Sequence, residues 1–184
     1  SPLAAVYCTN LTLTAGTLSG TNITVNAGSF AWTGGTFGPG SGFTLAANGS
    51  MTISTSGSKS LQGRTLINGA AATWLAGQIT CNGSAIFSNA PGAVVELQGD
   101  GSSFVFNSGT PLFANAGTLR KSFGTGINSV TLACANTGTV EVNSGTLALT
   151  LSDGSGNLVA KLPSPIQVDA YVTKGMAQLD ALGR

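Results

Sequence analysis

Apolar and polar positions recur along this chain with a period of about 21 residues. Short phrases mark the repeat: Asn26-Ala27-Gly28-Ser29, Asn68-Gly69-Ala70-Ala71, Asn89-Ala90-Pro91-Gly92, Asn115-Ala116-Gly117-Thr118 and Asn136-Thr137-Gly138-Thr139. Steps of 21 from Asn26 land on Ala47, Asn68 and Asn89, and resume at Asn115 and Asn136 after five extra residues. Two places before each anchor stand Thr24, Leu45, Leu66, Phe87, Phe113 and Cys134. Four places after stand Phe30, Met51, Ala72, Ala93, Leu119 and Val140, and six after stand Trp32, Ile53, Trp74, Val95, Lys121 and Val142. The position between those two holds Ala31, Thr52, Thr73, Val94, Arg120 and Glu141. Alternation with period 2 inside a repeat, and like residues in columns between repeats, are what short strands stacked coil upon coil produce.

The pattern predicts an all-β, single-domain parallel β-helix (a β-solenoid) of about seven coils, since a unit of this length cannot bury its own apolar face and must stack on its neighbours. At about 4.8 Å per coil, seven coils make a rod about 34 Å long. Residues 22–150 hold six regular coils, preceded by an irregular one. Asn in the anchor column is expected at tight corners, where it tolerates left-handed backbone and its amide bonds to the next coil. Glycine two places later is expected to supply a second permissive corner. The arcs 33–42, 54–63, 75–83, 96–109, 122–130 and 143–154 keep no clear column. The insertion falls in one of them, around Gly99-Asp100-Gly101-Ser102-Ser103, and variable arcs are where repeat proteins place their working face. The register breaks at Lys161-Leu162-Pro163-Ser164-Pro165, dividing a solenoid over 1–158 from a segment over 159–184. That segment reads as a strand at 166–172 and a short helix at 173–182. It either caps the solenoid or docks on another subunit.

Composition narrows the function. Charged residues make up 7% of the chain and the formal net charge is +1, so neither nucleic acid nor an anionic membrane surface is the expected partner. No apolar run is long enough for a membrane span. The 27 glycines do not signal disorder, because 42% of residues are hydrophobic and fall in the repeat. The chain opens at Ser1-Pro2, which reads as a processed start. Cys8, Cys81 and Cys134 fit no zinc spacing; they are either small buried hydrophobes or one disulfide and a free thiol. The sequons at Asn10, Asn22, Asn48 and Asn82 carry little weight in a chain this rich in Asn, Ser and Thr.

Histidine is absent, which removes the commonest general base and metal ligand. The acids are Glu96, Asp100, Glu141, Asp153, Asp169 and Asp180. A glycosidase-like pair would have to come from Glu96 with Asp100, or Asp100 with Asp153, and neither has a supporting motif. No catalytic, cofactor or metal site is therefore expected, and no cofactor. Arg120 and Glu141, one period apart, should form an outward ion pair on adjacent coils. Lys121 stands in an otherwise apolar column, so it either distorts its coil or snorkels out. Trp32 and Trp74 share a column with Ile53 and Val95, which favours core packing over an aromatic strip for polysaccharide. Thr12-Leu13-Thr14 is not repeated coil after coil, which speaks against a regular ice-binding face.

Three phrases carry a resemblance: Leu61-Gln62-Gly63-Arg64-Thr65-Leu66, Asn115-Ala116-Gly117-Thr118-Leu119-Arg120-Lys121-Ser122, and Asn136-Thr137-Gly138-Thr139-Val140-Glu141-Val142. Over 61–149 the chain resembles the Gly- and Asn-rich β-helical passenger and adhesin repeats of secreted bacterial surface proteins, broadly pectin-lyase-like in fold. The resemblance implies export to an extracellular or cell-surface location, a structural or adhesive role, and no catalytic residues. The expected partners are further copies joined head to tail, or a surface polysaccharide bound on the irregular face.

Overall fold

The computed structural model describes residues 4–21, 23–39, 43–154, 157–160 and 166–168. They form an all-β parallel solenoid of about seven turns, in which every pairing between strands is parallel and joins one coil to the next. Three faces enclose one core. Face A is built from the first halves of Ala4–Leu13, Ile23–Trp32 and Phe43–Ile53, then Thr65–Asn68, Ile86–Asn89, Leu112–Asn115 and the end of Ile127–Asn136. Face B takes the second halves of the first three strands, then Ala71–Trp74, Val94–Leu97, Thr118–Lys121, Thr139–Val142 and Asn157–Ala160. Face C holds Thr17–Leu18, Gly35–Phe37, Lys59–Gln62, Gln78–Gly83, Ser103–Gly109, the starts of Ile127–Asn136 and Thr146–Gly154, and Ile166–Val168. The arcs that show no column in the sequence are thus a third regular face, with an alternation of its own in Lys59–Gln62 and Gln78–Gly83.

The core follows the predicted parity. Trp32, Ile53, Leu66, Trp74, Phe87, Phe113 and Val140 are all 0–1% exposed. The columns need two adjustments. Ala27, not Asn26, stands against Ala47, and Val25, not Thr24, stands against Leu45; the offset is absorbed by a bulge between Ala27 and Ser29. In the fifth coil Val95 and Leu97 stand where Ala93 and Val95 were expected, so Glu96, not Val94, occupies the outward position between Thr73 and Arg120. The cause is the Pro91-Gly92 turn: Asn89 to Val94 takes two more residues than Asn68 to Ala71 in the coil below. The five-residue insertion is therefore not one loop. Two residues enter there, two more lie between Leu97 and Ser103, and one makes a bulge at Asn107.

The anchor column is a buried amide ladder. Asn68 Nδ2 donates to Asn89 Oδ1 at 2.8 Å, Asn89 to Asn115 at 2.7 Å, and Asn115 to Asn136 at 2.7 Å. The same nitrogens also reach the backbone carbonyls of Val94, Thr118 and Thr139. Buried amides require such pairing, because an unmet group in the interior carries its full desolvation cost. Left-handed backbone is not the reason for asparagine here, since Thr55 is the one described non-glycine residue with a positive φ. The ladder residues end extended strands and point inward. Glycine two places on is likewise a matter of close approach: a Cβ on Gly117 would lie 2.2 Å from the Ala93 carbonyl oxygen, and one on Gly138 2.0 Å from that of Gly117.

The winding continues through Asn157–Ala160, paired with Thr139–Val142, and Ile166–Val168, paired with Leu147–Leu149. The first part of the segment read as either a cap or a docking element thus pairs within its own chain. The expected helix over 173–182 lies outside the described residues.

Candidate functional site

Apart from the asparagine ladder and Arg64, buried polar side chains gather at the corner between faces B and C, where each turn leaves backbone carbonyls that need donors. Trp32 Nε1 donates to Gly35 O at 3.4 Å, and Trp74 Nε1 to Gly77 O at 2.9 Å and Ala76 O at 3.2 Å. Lys59 Nζ donates to Thr55 O at 2.8 Å and Gly57 O at 3.1 Å. Asn128 Nδ2 binds Gly99 O at 2.7 Å and Ser102 O at 2.8 Å. Lys121 Nζ binds Phe123 O at 2.8 Å. Coil after coil, a side chain with its apolar part in the core ties down the turn with its polar end. The tryptophans are therefore core residues with structural N–H groups, not a strip for polysaccharide.

Lys121 neither distorts its coil nor reaches solvent. Thr118–Lys121 pairs in register on both sides, and the lysine is fully buried. Its ammonium turns along the corner to Asp100 Oδ1 at 3.0 Å. The hydrogen bond from Lys121, and next the backbone N–H of Gly126, hold the Asp100 carboxyl below its usual range. A carboxylate stabilised in this way supports the fold above its unfolded pKa of about 3.9, and that support is lost as pH falls through its lower folded value. Thermal unfolding of the native chain followed from about pH 5 down to about pH 2 should therefore show a component that is missing in Asp100→Asn. Identical pH profiles would remove Asp100 from the acid response. Burial also pulls the Lys59 ammonium below the ordinary lysine value. Lys59 and Arg64, both buried, are structural cations that the sequence did not point to; Arg64 donates to the carbonyls of Gly38 and Pro39.

Outside, on face B, Arg120 joins two acids rather than one. Its Nε lies 2.9 Å from Glu141 Oε2 and its Nη1 3.4 Å from Glu96 Oε2. Ser122 donates to Glu96, and Asn143 donates to Glu141 at 2.9 Å. The expected neighbours Arg120 and Glu141 are in register on adjacent coils; Glu96 was missed because the Pro91-Gly92 turn shifts its coil by two. The Arg120 side chain is 37% exposed, so solvent screens the pair. Arg120→Ala should lower stability by at most about 1 kcal/mol in urea unfolding; a much larger loss would give the network a structural weight that this reading denies.

The two candidate catalytic acids of the insertion do not face one another as a free pair. Glu96 belongs to Arg120 and Ser122, and Asp100 to Lys121 and the 124–126 turn. The Asp153 side chain, Asp169 and Asp180 lie outside the described residues. Among the described residues no three of His, Cys, Asp and Glu come together in a way that would hold a metal. All three cysteines are unpaired. Burial pushes the thiols of Cys81 and Cys134 up to about 12, so they are protonated and inert at neutral pH. Cys8 is half-buried beside a shallow groove lined by Tyr7, Thr9, Asn26, Gly28 and Asn48.

One place departs from the packing rule. Leu61, Cys81 and Phe106 are in register, and the first two are fully buried, yet Phe106 is 49% exposed. The corner between faces C and A explains it. The fifth coil spends 105–111 on that corner, whereas the sixth crosses it with Thr131 and Leu132 alone. The solenoid narrows there, and the last aromatic of the wide half lies uncovered on a step.

No helix among the described residues is long and apolar enough to cross a membrane. No protein-family model, no curated protein and no solved structure matches the chain.

Proposed function

We propose that the chain is a structural or adhesive β-solenoid module of an extracellular or cell-surface protein, a stiff spacer with no chemistry of its own. The observation that supports this most is the single core, which runs from Leu13 to Leu149, together with the structural contacts that engage Glu96 and Asp100. Trp32, Trp74, Lys59, Lys121 and Asp100 serve turns, and Glu96, Arg120 and Glu141 serve one another. The low charge favours close approach between rods. Among the described residues, strand Ala4–Leu13 pairs along one edge, with Ile23–Trp32, and a further coil added at the other would extend the stack head to tail. Such a contact is heterologous and builds an open filament.

Electron microscopy and light scattering of the chain, beside a version ending at Ala160, test this reading. Rods longer than one chain, formed by the intact protein and growing with concentration, are the expected result. An intact chain that stays monomeric while the shortened one aggregates would make the terminal segment a cap and end the filament reading. Release of product from a polysaccharide, abolished by Glu96→Ala or Asp100→Ala, would overturn the non-catalytic reading. A second reading, saccharide binding on the variable arc, is favoured by the step at Phe106.

A further inference from the structure

We infer that the step at Phe106 is a binding ledge for a neutral saccharide chain, with the phenyl ring as its platform; this rests on the second reading above and gives it a site. Phe106 continues the inward column of Leu61 and Cys81, so its ring is set by the coil rather than hung on a loop. Only the cut corner of the sixth coil leaves it open. A pre-set aromatic surface ringed by hydrogen-bonding groups matches the C–H face and hydroxyl rim of a pyranose ring, and little ordering entropy is lost on binding.

The rim has that chemistry. Asn107 and Ser108, both exposed, donate to Asn82 Oδ1, the serine at 3.4 Å, and Asn82 Nδ2 donates to Ser60 Oγ at 3.3 Å. Thr110 and Thr131 are exposed beside them. The segments meeting at the step, 80–84, 105–110 and 131–133, contain no charged residue. An uncharged rim of amides and hydroxyls favours a neutral chain over an anionic one.

Two other occupants fit less well. An extended peptide adding a strand would need the outer edge of Ser103–Gly109, but the Phe106 N–H already donates to Thr131 Oγ1 at 2.8 Å and that hydroxyl donates to Phe104 O. The start of that edge is thus plugged from within, which shortens what a peptide strand could pair with. A second folded protein needs roughly 800 Å² on each side, and one half-covered ring anchors far less than that.

The probes are cellohexaose and xylohexaose, with polygalacturonate as the anionic comparison, and binding is followed by calorimetry and amide chemical shifts. At least one neutral hexasaccharide should bind and shift the amides of 105–110 and 131–133. Phe106→Ala should weaken binding about fivefold or more, and Asn107→Ala should weaken it as well. Phe123→Ala, which removes another exposed aromatic, should leave it unchanged. Both phenylalanines are exposed enough that unfolding midpoints should stay close to the native value, which keeps loss of fold apart from loss of binding. Hexasaccharide binding indifferent to Phe106→Ala overturns the ledge and leaves saccharide binding standing elsewhere. No binding of either hexasaccharide at millimolar concentration overturns both. Preference for polygalacturonate, or for an extended polar decapeptide at the Phe106 site, overturns the assignment to a neutral saccharide.

Discussion

Phe104→Ala should lower stability by about 3–5 kcal/mol. Phe104 is 1% exposed and sits at the centre of an aromatic cluster drawn from three coils. Its ring centroid lies 4.7 Å from Trp74, 4.9 Å from Phe87 and 5.2 Å from Phe113. The contacts with Trp74 and Phe87 are edge-to-face and that with Phe113 is stacked, and such pairs add to the burial itself. Phe104 is held on face C, Trp74 on face B, and Phe87 and Phe113 on face A, so its loss opens a cavity where all three faces meet. Stacked coils cannot close such a gap without breaking register with their neighbours. Urea unfolding of Phe104→Ala beside the native chain checks this. A loss below about 1 kcal/mol would mean that the cluster is not packed as described.

Asn89→Leu should cost roughly 2–4 kcal/mol, although leucine has the same branched outline as asparagine and is the more apolar residue. Asn89 is fully buried in the middle of the ladder. Its loss leaves Asn115 Oδ1 and the Thr118 carbonyl without the donor they share, and takes an acceptor from Asn68. Each polar group stranded in the interior costs about 1–3 kcal/mol. Asn48→Ala is the comparison. Its amide makes an exposed 3.3 Å contact with Asn26, and its loss should fall within about 0.5 kcal/mol. If Asn89→Leu unfolds at the same urea concentration as the native chain, the ladder carries no stability.

What the sequence disclosed and what it hid have one physical origin. Side-chain parity has period 2, so residues such as Phe87 and Val140 declare which way they face wherever their coil begins. A shift of two keeps parity, so the Pro91-Gly92 turn moved Glu96 into the outward column unseen, and Val95 stayed buried in a different column. A shift of one breaks parity, and its trace was visible as the ill-fitting Thr24 where the core takes Val25. The ladder was legible as a column of asparagines, but its cause, inward amides on extended backbone, needed the strand ends to be placed. Lys121 stood out by its apolar column and Lys59 did not, but the role of neither ammonium was legible. Nothing in Lys59 or Lys121 distinguishes an ammonium that solvates a turn from one in water until the carbonyls of Thr55, Gly57 and Phe123 surround it. The exposed face of Phe106 was hidden for a similar reason, since it depends on how many residues the next coil spends at one corner.

The most direct test of the architecture is a set of distances between spin labels on the outward column of face B. Ala31, Thr52, Thr73, Glu96, Arg120 and Glu141 occupy that column on successive coils. Backbone separation should grow by about 4.8 Å per coil, giving about 19 Å between Thr52 and Glu141 and about 24 Å between Ala31 and Glu141. Distances that rise in this linear way with coil number are the predicted result. Distances that stay constant or vary irregularly along the series would contradict a parallel stack of coils, and with it the placement of every residue described above.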